Sequence, residues 1–143
     1  MVKKCEDAIF GEMIYKHSWQ KTETINIFGK KFNIVISAKS YSEKPITKEQ
    51  QNSYKNFKKN EIKILDEVSA KMNKYINSNK EWILNNLDNN IKLDLLKLLT
   101  PKTLLFKQNG DTILLFDCVW DIEHGIGVNI TSNFEIGSQD IFL

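Results

Sequence analysis

The sequence predicts an α+β fold: an antiparallel β-sheet with two to three helices inserted between an N-terminal strand meander and C-terminal strands, the helices packed on one face of the sheet. Three observations predict it. Apolar residues alternate with a period of two in the first forty residues, take helical spacing from residue 47 to about 99, and return to strand-like runs after Pro101. Turn signals fall inside both strand blocks, so each block reads as antiparallel hairpins. The 143 residues, 41% hydrophobic and 27% charged, are enough to bury one core without staples. Residues 1–143 are therefore read as a single domain.

The elements follow in order. Residues 9–17 and 22–28 read as strands, the second with Ile25-Asn26-Ile27 alternating. Gly29-Lys30 marks a turn, after which Phe32, Ile34 and Ile36 resume the alternation, giving a hairpin and a three-strand meander. Residues 39–46 form a loop. Thr47-Lys48-Glu49-Gln50 has capping-box spacing, so a helix starts there. Its apolar face runs through Tyr54, Phe57, Leu65, Val68, Met72 and Tyr75/Ile76, with lysines opposite. A continuous helix of that extent would be about 45 Å long, so a break near Asn60 is expected. Asn77-Ser78-Asn79 ends it.

Residues 80–88 and 91–99 read as two short helices, with Trp82, Ile83 and Leu87, then Leu95, Leu96 and Leu99, facing the core. Thr100-Pro101 stops the helical pattern. Asn109-Gly110-Asp111 links the next two strands, and the unbroken run Ile113-Leu114-Leu115-Phe116 implies a central strand covered on both faces. Residues 125–130 read as another strand, and 134–143 as a tail that adds an edge.

Composition narrows the function classes. Residues 1–80 hold sixteen lysines against nine acids, and residues 81–143 four against nine. After Lys107 come six acids, Asp111, Asp117, Asp121, Glu123, Glu135 and Asp140, and no basic residue except His124. All the basic side chains are lysine, and the lack of arginine argues against sequence-specific nucleic-acid binding. No apolar run reaches the ~18 residues of a membrane span, and Glu6 and Asp7 interrupt the only N-terminal stretch that could resemble a leader. A cytoplasmic location with reduced thiols is expected. Cys118 reads as a small buried hydrophobe, Cys5 as exposed, and Trp19 as the tryptophan turned to the surface.

Whatever chemistry the chain carries centres on Trp120-Asp121-Ile122-Glu123-His124-Gly125. In the simplest reading this is a tied turn: Asp121 accepts from backbone N–H groups, His124 bonds a carboxylate or carbonyl, and Gly125 supplies a positive φ. An acid–base reading pairs Glu123 with His124, but adjacent strand residues face opposite ways and no nucleophile motif accompanies them. A metal reading uses Asp117, Asp121, Glu123 and His124, with His17 as a distant second imidazole, but the zinc-helix and calcium-loop spacings are absent. No cofactor or resident metal is therefore expected. The candidate binding residues are Trp120, Asp121, Glu123, His124 and Asp117.

Phe10-Gly11-Glu12 with Trp19, Asn26-Ile27-Phe28-Gly29, Thr47 to Gln50, and the run from Trp120 to Val128 together resemble a family of small bacterial domains of unknown function. In that family an N-terminal hairpin and an Ile-Thr-x-x-Gln helix start precede a Trp-Asp-x-Glu-His-Gly turn. The resemblance covers roughly residues 8–140, with Ile122 where proline is frequent. It carries no established activity over to this chain. By analogy with similar acidic-ended α+β domains, it suggests an immunity protein that neutralises a toxin. Two functions are thus weighed: a non-enzymatic domain that binds a basic, toxin-like protein through an acidic surface, and a small metal-assisted hydrolase centred on Asp121, Glu123 and His124.

Overall fold

A computed structural model describes residues 3–87 and 94–143. Eight strands form one sheet whose spatial order is the chain order: β1 (Lys4–Asp7), β2 (Gly11–Tyr15), β3 (Trp19–Ile27), β4 (Lys30–Ala38), β5 (Leu99–Phe106), β6 (Thr112–Cys118), β7 (Ile126–Asn129) and β8 (Glu135–Ser138). Helices α1 (Lys48–Lys59), α2 (Glu61–Ser78), α3 (Lys80–Asn85) and α4 (Leu95–Leu98) lie between β4 and β5. The α+β class and the placement of the helices between two strand blocks are as the sequence predicts.

Neighbouring strands are antiparallel except at one seam, where β4 and β5 run parallel, from Val35 opposite Thr103 to Ala38 opposite Phe106. The helical insertion returns the chain to the end at which β4 began, which is what a parallel neighbour requires. The N-terminal block has four strands rather than three, because Lys4–Asp7 pairs with Gly11–Tyr15. Asp7 Oδ2 accepts from the backbone N–H groups of Ile9 and Phe10 and closes that first turn. In the β3–β4 hairpin a two-residue turn, Phe28-Gly29, joins Ile27 to Lys30, and both residues are left-handed, at φ 58° and 74°. That is the type I′ geometry that matches strand twist.

Thr47 and Gln50 form the capping box: the Thr47 hydroxyl accepts from Gln50 N–H, and Gln50 Oε1 from Thr47 N–H at 2.8 Å. The Gln50 amide then donates to the Lys39 and Phe106 carbonyls at 2.8 and 2.9 Å. One fully buried side chain thus ties the helix start to both strands of the parallel seam. The expected break falls at Asn60, which ends α1 and opens α2.

One core cluster joins the helical residues Tyr54, Phe57, Leu65, Val68, Met72, Ile76 and Ile83 to one face of the sheet, including Ile25, Ile34, Ile36, Leu104, Phe106, Leu114, Phe116 and Val128. On the other face a smaller cluster packs Phe142 against Leu105, Ile113 and Leu115. β6 is thereby covered on both sides, as its unbroken apolar run requires.

Several expectations are corrected. Trp19 is buried, at 3% exposure, because its indole N–H reaches the Lys44 carbonyl and its ring packs on Tyr15. Trp82, expected in the core, is 52% exposed, because α3 lasts only six residues and Ile83 takes the inward position. Leu96 is exposed, and Leu99 opens β5 rather than ending a helix. Pro101 sits inside β5, at a bulge between Pro101 and Thr103 and before the residues that pair with β4, so its missing N–H leaves no ladder bond unmade. Cys5 is half-buried against the core rather than exposed. The expected helical stretches 80–88 and 91–99 fall partly on residues 88–93, outside the described residues.

Candidate functional site

Residues 119–125 connect β6 to β7 at one end of the sheet. The entry is anchored: Val119 N–H donates to the Leu98 carbonyl, and the Trp120 ring is buried in the main core. Asp121 organises the turn. Its carbonyl accepts from Gly125 N–H at 2.9 Å, and its Oδ1 accepts from His124 N–H at 3.2 Å and lies 3.0 Å from His124 Nδ1. Gly125 has φ +65°, and a Cβ there would lie 2.6 Å from the Phe116 carbonyl oxygen and 2.5 Å from the Gln139 side chain, so no larger residue fits. Gln139 donates to that same carbonyl.

The geometry is the tied turn of the simplest reading. It brings Asp121 and His124 together and leaves Glu123 on the surface with no hydrogen bond or ion pair among the described residues. Asp117, in the last residues of β6 beside the turn, is paired with Lys102 on β5 at 3.7 Å rather than with His124. His17 lies in the β2–β3 turn, separated from β7 by four strands. Among the described residues no three His, Cys, Asp or Glu side chains are grouped so as to hold a metal ion. The metal-ligand set Asp117, Asp121, Glu123 and His124 is therefore not assembled.

The electrostatics of the turn centre on His124. The hydrogen bond to Asp121, the charge of that carboxylate, and Asp140 at 3.9 Å from Nε2 hold the imidazolium above the ordinary histidine range. Cys118, which donates to the Asp121 carbonyl, has its thiol pushed up to about 11, chiefly by burial. It is thus a neutral packing group rather than a nucleophile. The acids do not form one surface. Asp117, Asp121, Glu123 and Asp140 gather at the turn end, whereas Asp111 and Glu135 lie at the opposite ends of β6 and β8. The seven residues of β6 separate the two groups by roughly 20 Å. The apolar side chain open to solvent at the turn is Ile122, 86% exposed between Asp121 and Glu123. The sequence places Asp140 among the late acids and Ile122 where proline is frequent, but signals neither the exposure of Ile122 nor the approach of Asp140 to His124, which arises only because β8 turns the chain back.

A second polar cluster lies under α1. The Glu23 carboxylate, on the helix-facing side of β3, accepts from the Tyr54 hydroxyl and from Lys21 and Lys58 at 2.9 and 3.0 Å, and Lys58 also pairs with Glu61. Burial pushes the Glu23 carboxyl upward, but the donors from Lys21, Tyr54 and Lys58 outweigh it and hold the pKa below the usual range. Tyr54 is driven the other way, by burial first and then by Glu23. Each group is satisfied by its neighbours, which marks a structural network.

Fold and turn together define a small α+β sheet domain with an acidic, rigidly tied hairpin loop at one end. The chain belongs to the DUF6985 family, a domain of unknown function, whose model matches residues 9–143. No curated protein and no solved structure matches it. No helix among the described residues is long and apolar enough to cross a membrane.

Proposed function

We propose that this protein is a non-enzymatic protein-binding domain that engages a basic partner with the turn formed by Asp121, Ile122, Glu123 and His124, with Asp117 and Asp140 beside it. Its finer form is an immunity protein that occupies the basic cleft of a toxin in the bacterial cytoplasm. The carrying observation is the exposed Ile122 set between two acids on a turn that its own hydrogen bonds hold in shape. A pre-ordered apolar tip loses little entropy on docking, and the flanking charges speed and orient the encounter. Trp120 serves this reading from the core, as the anchor of the turn.

The test is calorimetry of the purified protein against the product of the adjacent reading frame, at roughly 50 and 500 mM salt. Binding that weakens at the higher salt, and by tenfold or more in Glu123→Lys and Ile122→Ala, is the expected outcome. Affinity indifferent to salt and to both substitutions would refute the role of the turn. For the metal-assisted hydrolase alternative, the described residues offer no assembled ligand set.

A further inference from the structure

A groove of about 450 Å³ lies between the β1–β2 turn and α1. Ala8, Ile9 and the Tyr54 ring make its apolar lining, and Lys55, Lys58 and Lys59 its basic rim. Lys58 is committed to Glu23 and Glu61, but Lys55 and Lys59 enter no ion pair among the described residues. The neighbouring Asp7 carboxylate is held by the backbone N–H groups of Ile9 and Phe10 and by the Gln51 amide, and it forms no ion pair with either lysine among the described residues.

The groove therefore calls for an apolar knob flanked by negative charge. The same chain presents one at Asp121-Ile122-Glu123, where Ile122 stands 86% exposed. A chain cannot fill its own groove, because β2 and β6 are four strands apart, about 19 Å at sheet spacing. We propose that a second copy of this chain docks its acidic turn into the lysine-rimmed groove of the first, head to tail. The two surfaces are different patches, so the contact is heterologous and builds a ring or an open row of copies rather than a two-fold dimer. Only one turn enters one groove, so the association is weak and visible at high protein concentration. The inference does not rest on the partner reading. Where both hold, the partner and the second copy compete for one turn.

Sedimentation of the full chain over a concentration series tests it. The weight-average mass is expected to rise with concentration at low salt and to return to the monomer at high salt. Glu123→Lys and Lys59→Glu should each remain monomeric, since like charges then meet. An equimolar mixture of the two should associate again, because each groove then finds a turn of opposite charge. A monomer at every concentration, or association that both variants leave intact, would overturn the docking. Either result leaves the partner reading standing, which is probed separately by Lys59→Glu, a variant whose turn is untouched.

Discussion

His124 shows how a single residue carries the electrostatics of the turn. Its folded pKa is raised above the unfolded value, so its contribution to stability is complete below about pH 6.5 and is lost as pH rises through the folded pKa. Asp121→Asn removes the hydrogen bond and charge responsible, and an NMR titration of the imidazole should show the pKa fall toward the ordinary value. Glu23 has the opposite sign. Its pKa is lowered, so its contribution is present above about pH 4.3 and is lost as pH falls through the folded value. Glu23→Gln should cost about 2 kcal/mol at neutral pH by urea unfolding, and should flatten the acid limb of the stability profile. Gly125→Ala combines a left-handed φ with a collision against the Phe116 carbonyl. A loss of about 2–3 kcal/mol is expected, read from the same unfolding curves.

The elements differ in how plainly the sequence announces them. The α1 start was legible because a capping box is local, four residues long and chemically specific. The hairpin turns were legible for the same reason, whereas the Asn60 break followed from the length that a continuous helix would have. The WDIEHG turn was legible as a turn, since Asp121, His124 and Gly125 act within five residues of one another. The short helices were not. Trp82 and Leu96 sit in segments too brief for periodicity to choose an inward face, and tertiary packing decided the matter through Ile83 and Leu98. The second role of Gln50 was also illegible, because its amide bonds carbonyls at Lys39 and Phe106, the latter 56 residues away. Gln50→Ala should therefore cost more than a cap alone, about 2–4 kcal/mol, and Gln50→Glu, which keeps the cap acceptor but loses the amide donor, should recover only part of it. Phe142→Ala empties the small core on the far face and is expected to cost about 3–5 kcal/mol, with thermal unfolding as the readout.

At the scale of the whole molecule, the class and the order of blocks follow from hydrophobic period alone, but the pairing across the insertion does not. Nothing in the alternation of β4 or β5 specifies whether they meet, or in which direction; the positions that pair are mostly apolar, with Ser37 and Thr103 among them, and carry no charge to set a register. The same blindness hid the partition of the acids. A charge count places six acids after Lys107, and only the strand register shows four at one end and two at the other.

The parallel seam also dictates an order of events in time. Each half of the sheet is built from hairpins whose ends are close along the chain, and such units zip within microseconds. β4 and β5 are separated by about sixty residues, so joining them carries a closure entropy of roughly 3–4 kcal/mol before any ladder bond forms. The two meanders should therefore acquire protection from solvent exchange early, and the β5 amides that face β4, with that of Lys39, late, together with the ordering of Gln50. In unfolding the same line is where the molecule comes apart first, as two half-sheets parting along one crease.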